Sequence, residues 1–140
     1  MKTSLTLLKK RLPAYTLTEI LVVLVIIGIL VLLALPNLLP LITKAKSTEA
    51  KVQLEHIQTL EKNYFYEHSK YTTDLTELGF IQEPLSTDGK GHANYQITIP
   101  NATTTTFTAR ATAVVDFNGN GTFNVWEIDQ DKNLKEVTPD

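Results

Sequence analysis

The chain contains no cysteine. No disulfide can staple it, no thiolate can serve as nucleophile or zinc ligand, and its redox compartment cannot be read from thiols. Histidine is scarce too, with three residues. His56 and His68 are 12 positions apart and His92 falls in a loop-like stretch, so no pair has the spacing of a zinc site. There is no Gly-x-Ser-x-Gly and no glycine-rich phosphate loop. Asp129 and Asp131 are close in sequence, but their surroundings read as a solvated turn. These absences leave no catalytic constellation, and the expectation is a protein that is not an enzyme.

Charge is missing locally as well. No charged residue occurs from Ile20 to Thr43. As a helix, those residues would span roughly 36 Å at about 1.5 Å per residue, enough for a hydrocarbon core about 30 Å thick. Lys9, Lys10 and Arg11 lie before the run and the bulk of the chain after it. The positive-inside rule then keeps the N-terminus in the cytoplasm and places the rest outside. An ordinary secretory signal fits poorly. Its small residue should follow the apolar run, whereas Ala14 precedes it, and Pro36 spoils a cut near Ala34.

One acid stands at the head of the run. Glu19 is the only carboxylate before residue 49. A carboxylate costs about 2.5–3.5 kcal/mol at the centre of a membrane helix and less near the interface, so Glu19 needs a partner. A chain cut between Ala14 and Tyr15 would supply one, the new amine at Tyr15, from its own or a neighbouring copy.

Lys9-Lys10-Arg11, Ala14-Tyr15-Thr16-Leu17-Thr18-Glu19 and the aliphatic helix together resemble the prepilin signature of type IV pilins and type II secretion pseudopilins. In that family a small residue, usually glycine, precedes the cut. An aromatic, usually phenylalanine, begins the mature chain, and glutamate is its fifth residue. Ala14, Tyr15 and Glu19 occupy those places, and Pro36 falls where the family commonly has a helix-loosening proline. The resemblance implies cleavage after Ala14 by a prepilin peptidase, methylation of Tyr15, and assembly through Glu19 with Pro36 as the pliable point. The implied partners are copies of itself, other pilins or pseudopilins, an inner-membrane assembly platform and the membrane. The implied location is the bacterial inner membrane, crossed once, then a periplasmic or surface filament. Small size, lack of cysteine and a candidate calcium loop at Asp116 lean toward the pseudopilin.

Four of the 13 basic residues, Lys2, Lys9, Lys10 and Arg11, precede Tyr15, and none of the 15 acids does. The chain from Tyr15 therefore carries nine bases and fifteen acids, a formal −6. No basic cluster follows Lys46, which argues against nucleic acid as a partner.

The expected fold class is α+β and pilin-like, a long N-terminal helix packed on a small antiparallel sheet. Residues 1–14 read as a basic leader, 15–43 as the apolar helix, 44–70 as its amphipathic continuation and 71–140 as a globular head. Ala50, Leu54, Ile57, Leu60, Tyr64 and Phe65 mark one helical face, with Lys46, Lys51, Glu55, Glu61 and Lys62 on the rest. Lys51 and Glu55 have i,i+4 spacing. Residues 74–79 predict a short turn closed by Gly79, and residues 82–92 a loop. Strands are expected over 94–99, 104–115 and 122–128, with a short last one over 135–138. Their inward faces would carry Tyr95, Ile97 and Ile99, then Phe107, Ala109, Ala111 and Ala113, then Phe123, Val125 and Ile128. The four threonines at 103–106 favour strand.

Asp116-Phe-Asn118-Gly-Asn120-Gly, followed five residues later by Glu127, fits the calcium-loop pattern D-x-[DN]-x-[DN]-G-x5-E. Alternating oxygen ligands suit Ca²⁺. Against this, the flanks read as strands rather than helices, and Asn-Gly twice in four residues is a strong hairpin signal. A metal-free β-turn and a calcium loop through Asp116, Asn118, Asn120 and Glu127 therefore both stand. The resemblance adds that calcium commonly replaces the C-terminal disulfide in pseudopilins. Besides the filament subunit, the alternative is a membrane-anchored β-domain with a calcium loop that never assembles.

Overall fold

The structure is a computed structural model and describes residues 14–140. The basic leader lies outside the described residues except for Ala14. Helix α1 runs Leu17–His68. Four strands follow, β1 Tyr95–Ala102, β2 Phe107–Ala113, β3 Val125–Asp129 and β4 Leu134–Thr138, in a sheet of order β1-β2-β3-β4 with every neighbour antiparallel. This is the α+β, pilin-like arrangement expected. The chain divides between Pro36 and Asn37 into an apolar helical unit and a globular unit.

In the first unit, the side chains from Ile20 to Leu35 are Leu, Ile, Val, Ala and one Gly. All are solvent-exposed, so no core among the described residues covers them. Leu, Ile and Val here are between 46% and 73% exposed. The helix holds because the backbone bonds internally, the only arrangement an apolar surrounding permits. It continues through Pro36 and Pro40 without interruption, although each removes one backbone donor. The hydroxyl of Thr43 donates back to the Leu39 carbonyl at 3.4 Å.

In the second unit, Ala50, Leu54 and Ile57 of α1 share one buried cluster with Tyr95, Ile97, Ile99, Phe107, Ala109, Ala111, Ala113 and Ile128 of the sheet. The period-2 faces of β1 and β2 are as expected. Small alanines on β2 let the helix approach, while Tyr95 and Phe107 fill the space on either side. Burying each large side chain contributes roughly 1.5–3 kcal/mol. A register shift between Thr98 and Asn101 accommodates Pro100, which an edge strand tolerates because one side of its ladder is unpaired.

The sheet's far half differs from expectation. Phe123 lies outside β3 and is 47% exposed. The inward alternation is instead Asn124, Trp126 and Ile128. Asn124 is completely buried. Its Oδ1 accepts from the Tyr95 hydroxyl at 2.7 Å and the Trp126 indole at 2.7 Å. Its Nδ2 donates to Glu136 Oε1 at 2.6 Å and the Thr138 carbonyl at 3.1 Å. Four bonds from one amide join β1, β3 and β4. In a cysteine-free head, this network ties the C-terminal strand to the rest of the sheet, each bond worth about 0.5–1.5 kcal/mol net.

The threonines at 103–106 form a turn rather than strand. The Thr103 hydroxyl accepts from the amides of Thr105 and Thr106, and its own amide donates to the Thr106 carbonyl. Local side-chain bonding outcompetes β-propensity here. The turn at 74–79 closes as expected: Gly79 has φ 72°, with Phe80 N–H bonded to the Leu75 carbonyl and Gly79 N–H to that of Thr76. In the 82–92 loop, a Cβ on Gly91 would collide with the carbonyls of Pro84 and Leu85, so only glycine fits.

Two further departures lie on α1. Lys51 does not pair with Glu55; its ammonium sits 4.4 Å from the centre of the Trp126 ring. Glu61, expected on the polar face, is fully buried.

Candidate functional site

Apart from Pro36, which lies within α1, the residues singled out by the sequence fall in two places. The first is the start of α1. Tyr15 precedes the helix and is 80% exposed. The amide and hydroxyl of Thr16 both donate to Glu19 Oε2, at 2.7 and 2.9 Å. The Glu19 amide donates in turn to the Thr16 hydroxyl at 3.3 Å. This is a reciprocal capping box, Thr-x-x-Glu, which satisfies donors that a helix start leaves unpaired. Glu19 thus has neutral hydrogen-bond donors within its own chain, and that signal was legible in Thr16-Leu-Thr-Glu19. The carboxylate also stands at the positive end of the helix dipole. Tyr15, Thr18, Glu19, Ile20 and Val23 border an open apolar groove beside it. An exposed residue ahead of the helix is accessible to an enzyme. An exposed carboxylate four positions on is accessible to a second chain.

The second place is the β2–β3 connection. Asp116 accepts from the amides of Gly119 at 2.6 Å and Gly121 at 2.7 Å. These bonds, that of Gly121 foremost, hold its carboxyl below the ordinary carboxylate range. Asn118 accepts from the Asn120 amide, and Asn120 from the amide and hydroxyl of Thr122. Gly119 and Gly121 both have positive φ. Asp116, Asn118 and Asn120 are therefore brought together as caps of a tight turn.

Glu127 is not brought to them. It lies within β3 opposite Arg110, whose Nε and Nη2 reach its Oε1 at 2.8 and 2.6 Å, with Lys135 at 3.8 Å from Oε2. A calcium loop needs its last carboxylate turned inward, and here that group is committed to two cations. Among the described residues no cluster of three or more His, Cys, Asp or Glu is arranged to hold a metal. Asp116, Asn118 and Asn120 thus share one turn, while Glu127 stands apart from them in β3. Asp129 is likewise a turn cap, accepting from the Asp131 and Asn133 amides.

Glu61 is the residue that sequence reasoning placed wrongly. Its Oε2 accepts from the Thr72 amide at 3.2 Å, while Oε1 is buried without a hydrogen-bond partner among the described residues. Burial pushes its carboxyl up to about 7, the Thr72 bond opposing only in part. Beside it, Phe65 stacks on Tyr71 at 4.9 Å and Tyr71 meets Phe107 at 4.9 Å.

Two comparisons with known proteins bear on this arrangement. A family described as type IV minor pilin ComP, DNA uptake sequence receptor, matches residues 39–122, more than half of the chain. The chain belongs to the type IV pilin family. The type IV major pilin protein PilA of Myxococcus xanthus strain DK1622 is 38% identical to this pilin over 69 residues, 49% of this chain and 31% of the relative. The match thus spans about a third of that relative's length. The family is structural rather than catalytic, and the exposed apolar helix fits a membrane-anchored pilin.

Proposed function

We propose that this pilin is a subunit of a type IV pilus-like filament. The observation that carries the reading is the apolar stretch of α1, whose side chains find no core among the described residues and open with an exposed Glu19. A membrane covers such a surface before assembly, and helices of other copies cover it afterwards. Prepilin peptidase cuts after Ala14, Tyr15 is methylated, and the amine of a neighbouring Tyr15 meets Glu19 within the apolar filament core. An inner-membrane assembly platform lifts the subunit, with the head held outside the cytoplasm as the basic leader dictates. The segment at Pro36, short of one backbone bond, is the place where the helix lengthens or loosens during packing.

Both comparisons are to type IV pilins, and they favour a pilus over the pseudopilus that small size and missing cysteine suggest. The DNA uptake named for the matching family is not carried over to this chain. Of its cations, Arg110 is committed to Glu127 and Lys46 to Asn94. Shearing of cells followed by electron microscopy tests the reading. Surface filaments that react with antibody to the head, and vanish on deletion of this chain, are the expected result. A chain that stays monomeric in the membrane, with no filament at the surface or in the periplasm, would contradict it.

A further inference from the structure

A cleft of about 340 Å³ lies between α1 and the C-terminal segment, within the globular unit. Its helix wall carries Lys44, Ser47 and Lys51; its opposite wall carries Trp126, Glu136 and Asp140. Its volume is at the lower end for small-molecule sites, about 300–1,000 Å³. Three observations suggest an occupant.

The first is charge. Two ammonium groups and two carboxylates line one cleft, yet among the described residues no ion pair joins any of them to another. Opposite charges that share a cleft without neutralising each other suit a ligand bearing both signs. The second is an unmet acceptor. Asp140 turns Oδ2 to the Phe117 amide at 2.8 Å and keeps Oδ1 buried with no hydrogen-bond partner among the described residues. A buried carboxylate oxygen without a donor is costly, and a small rotation of the carboxyl presents it to a donor in the cleft. The third is level. Pro40 and Thr43, at the end of the uncharged run, complete the helix wall, and Lys44 is the first charge beyond it. In a membrane-anchored chain this is the depth of lipid headgroups.

We propose that the cleft seats the headgroup of a zwitterionic phospholipid with a primary amine, a phosphatidylethanolamine. Its phosphate lies between Lys44 and Lys51, and its ammonium donates to Asp140 Oδ1 and Glu136. The acyl chains run back along the apolar face below Thr43. The bound lipid holds the head against the membrane surface until assembly withdraws the helix. An anionic lipid satisfies the lysines and leaves both carboxylates facing a like charge. A choline headgroup brings the charge but no hydrogen-bond donor.

The test is native mass spectrometry of the full processed chain in detergent, with equal amounts of phosphatidylethanolamine, phosphatidylglycerol and phosphatidylcholine added. One retained phosphatidylethanolamine, preferred at least about tenfold over either other lipid, is expected. Lys44→Gln and Asp140→Asn should each lower that retention about tenfold, while Lys62→Gln leaves it unchanged. Circular dichroism of each variant separates lost binding from lost folding. Equal retention of all three lipids, retention indifferent to Lys44 and Asp140, or no retention by the folded wild type would each overturn the proposal. Extraction of the chain from native membranes by alkaline carbonate would instead overturn the anchor itself, a separate failure.

Discussion

Glutamine in place of Glu61 is expected to remove most of the pH dependence of head stability between about pH 5 and 7.5 and to make the head more stable at pH 8. The buried carboxyl has its folded-state value raised from 4.5 to about 7. The folded chain therefore holds this proton more tightly than the unfolded chain. That contribution is fully present below the unfolded value of 4.5 and is lost as pH rises through 7. A tenfold difference in proton affinity corresponds to about 1.36 kcal/mol, so the loss is on the order of 3 kcal/mol, a large share of a typical stability of about 5–15 kcal/mol. Glutamine keeps an acceptor for the Thr72 amide and cannot ionise. Tyr64 and Tyr71 lie near enough to feel its charge. Urea unfolding of wild type and Glu61→Gln in the same detergent at pH 5 and pH 8 measures this. A wild-type chain as stable at pH 8 as at pH 5 would show that the buried carboxyl finds compensation elsewhere.

Alanine in place of Glu19 is expected to abolish filaments while leaving cleavage after Ala14 intact. In the proposed assembly, the carboxylate leaves water for an apolar filament core, where only a paired charge is tolerated. Removing one partner of a buried pair costs about 3–5 kcal/mol, since the other charge stays uncompensated. Repeated at every subunit, that penalty stops growth. The capping box supplies a competing explanation, because Glu19 also satisfies Thr16 at the helix start. Losing a cap costs only about 0.5–2 kcal/mol. Thr16→Ala separates the two roles: it weakens the cap and spares the carboxylate. Filaments present with Thr16→Ala and absent with Glu19→Ala support pairing between subunits. Filaments lost equally in both would assign the effect to the cap and sink the pairing.

The elements with strict periodicity were the ones most legible in the sequence. An uncharged run of Leu, Ile and Val admits only a helix in an apolar surrounding. Alternation over Tyr95, Ile97 and Ile99, and over Phe107 to Ala113, fixes which face meets the helix because a one-residue slip would expose it. Legibility failed where a polar residue faces inward. Glu61 sits where the helical pattern also permits a solvent-facing acid, and its partner, the Thr72 amide, comes into reach only after the chain turns at Ser69, a non-glycine residue with φ 56°. Asn124 carries no apolar signal within the expected strand, whereas its amide joins three strands. Hydrophobicity alone places Phe123 inward, but the Gly119–Gly121 turn extends past it and resets the alternation. The calcium pattern matches residue types at the correct spacing, yet Glu127 stands opposite Arg110 in the ladder. Spacing along a chain does not say which face of a strand a carboxylate takes.

The central claim is that this chain is a processed filament subunit, and the intact mass of the protein from native membranes tests it most directly. The mass should correspond to a chain beginning at Tyr15 with one added methyl group, and N-terminal sequencing should read Tyr-Thr-Leu-Thr-Glu. A mass that retains Met1, or that begins beyond the apolar run, would contradict the claim, because Glu19 would then have no neighbouring Tyr15 amine to meet.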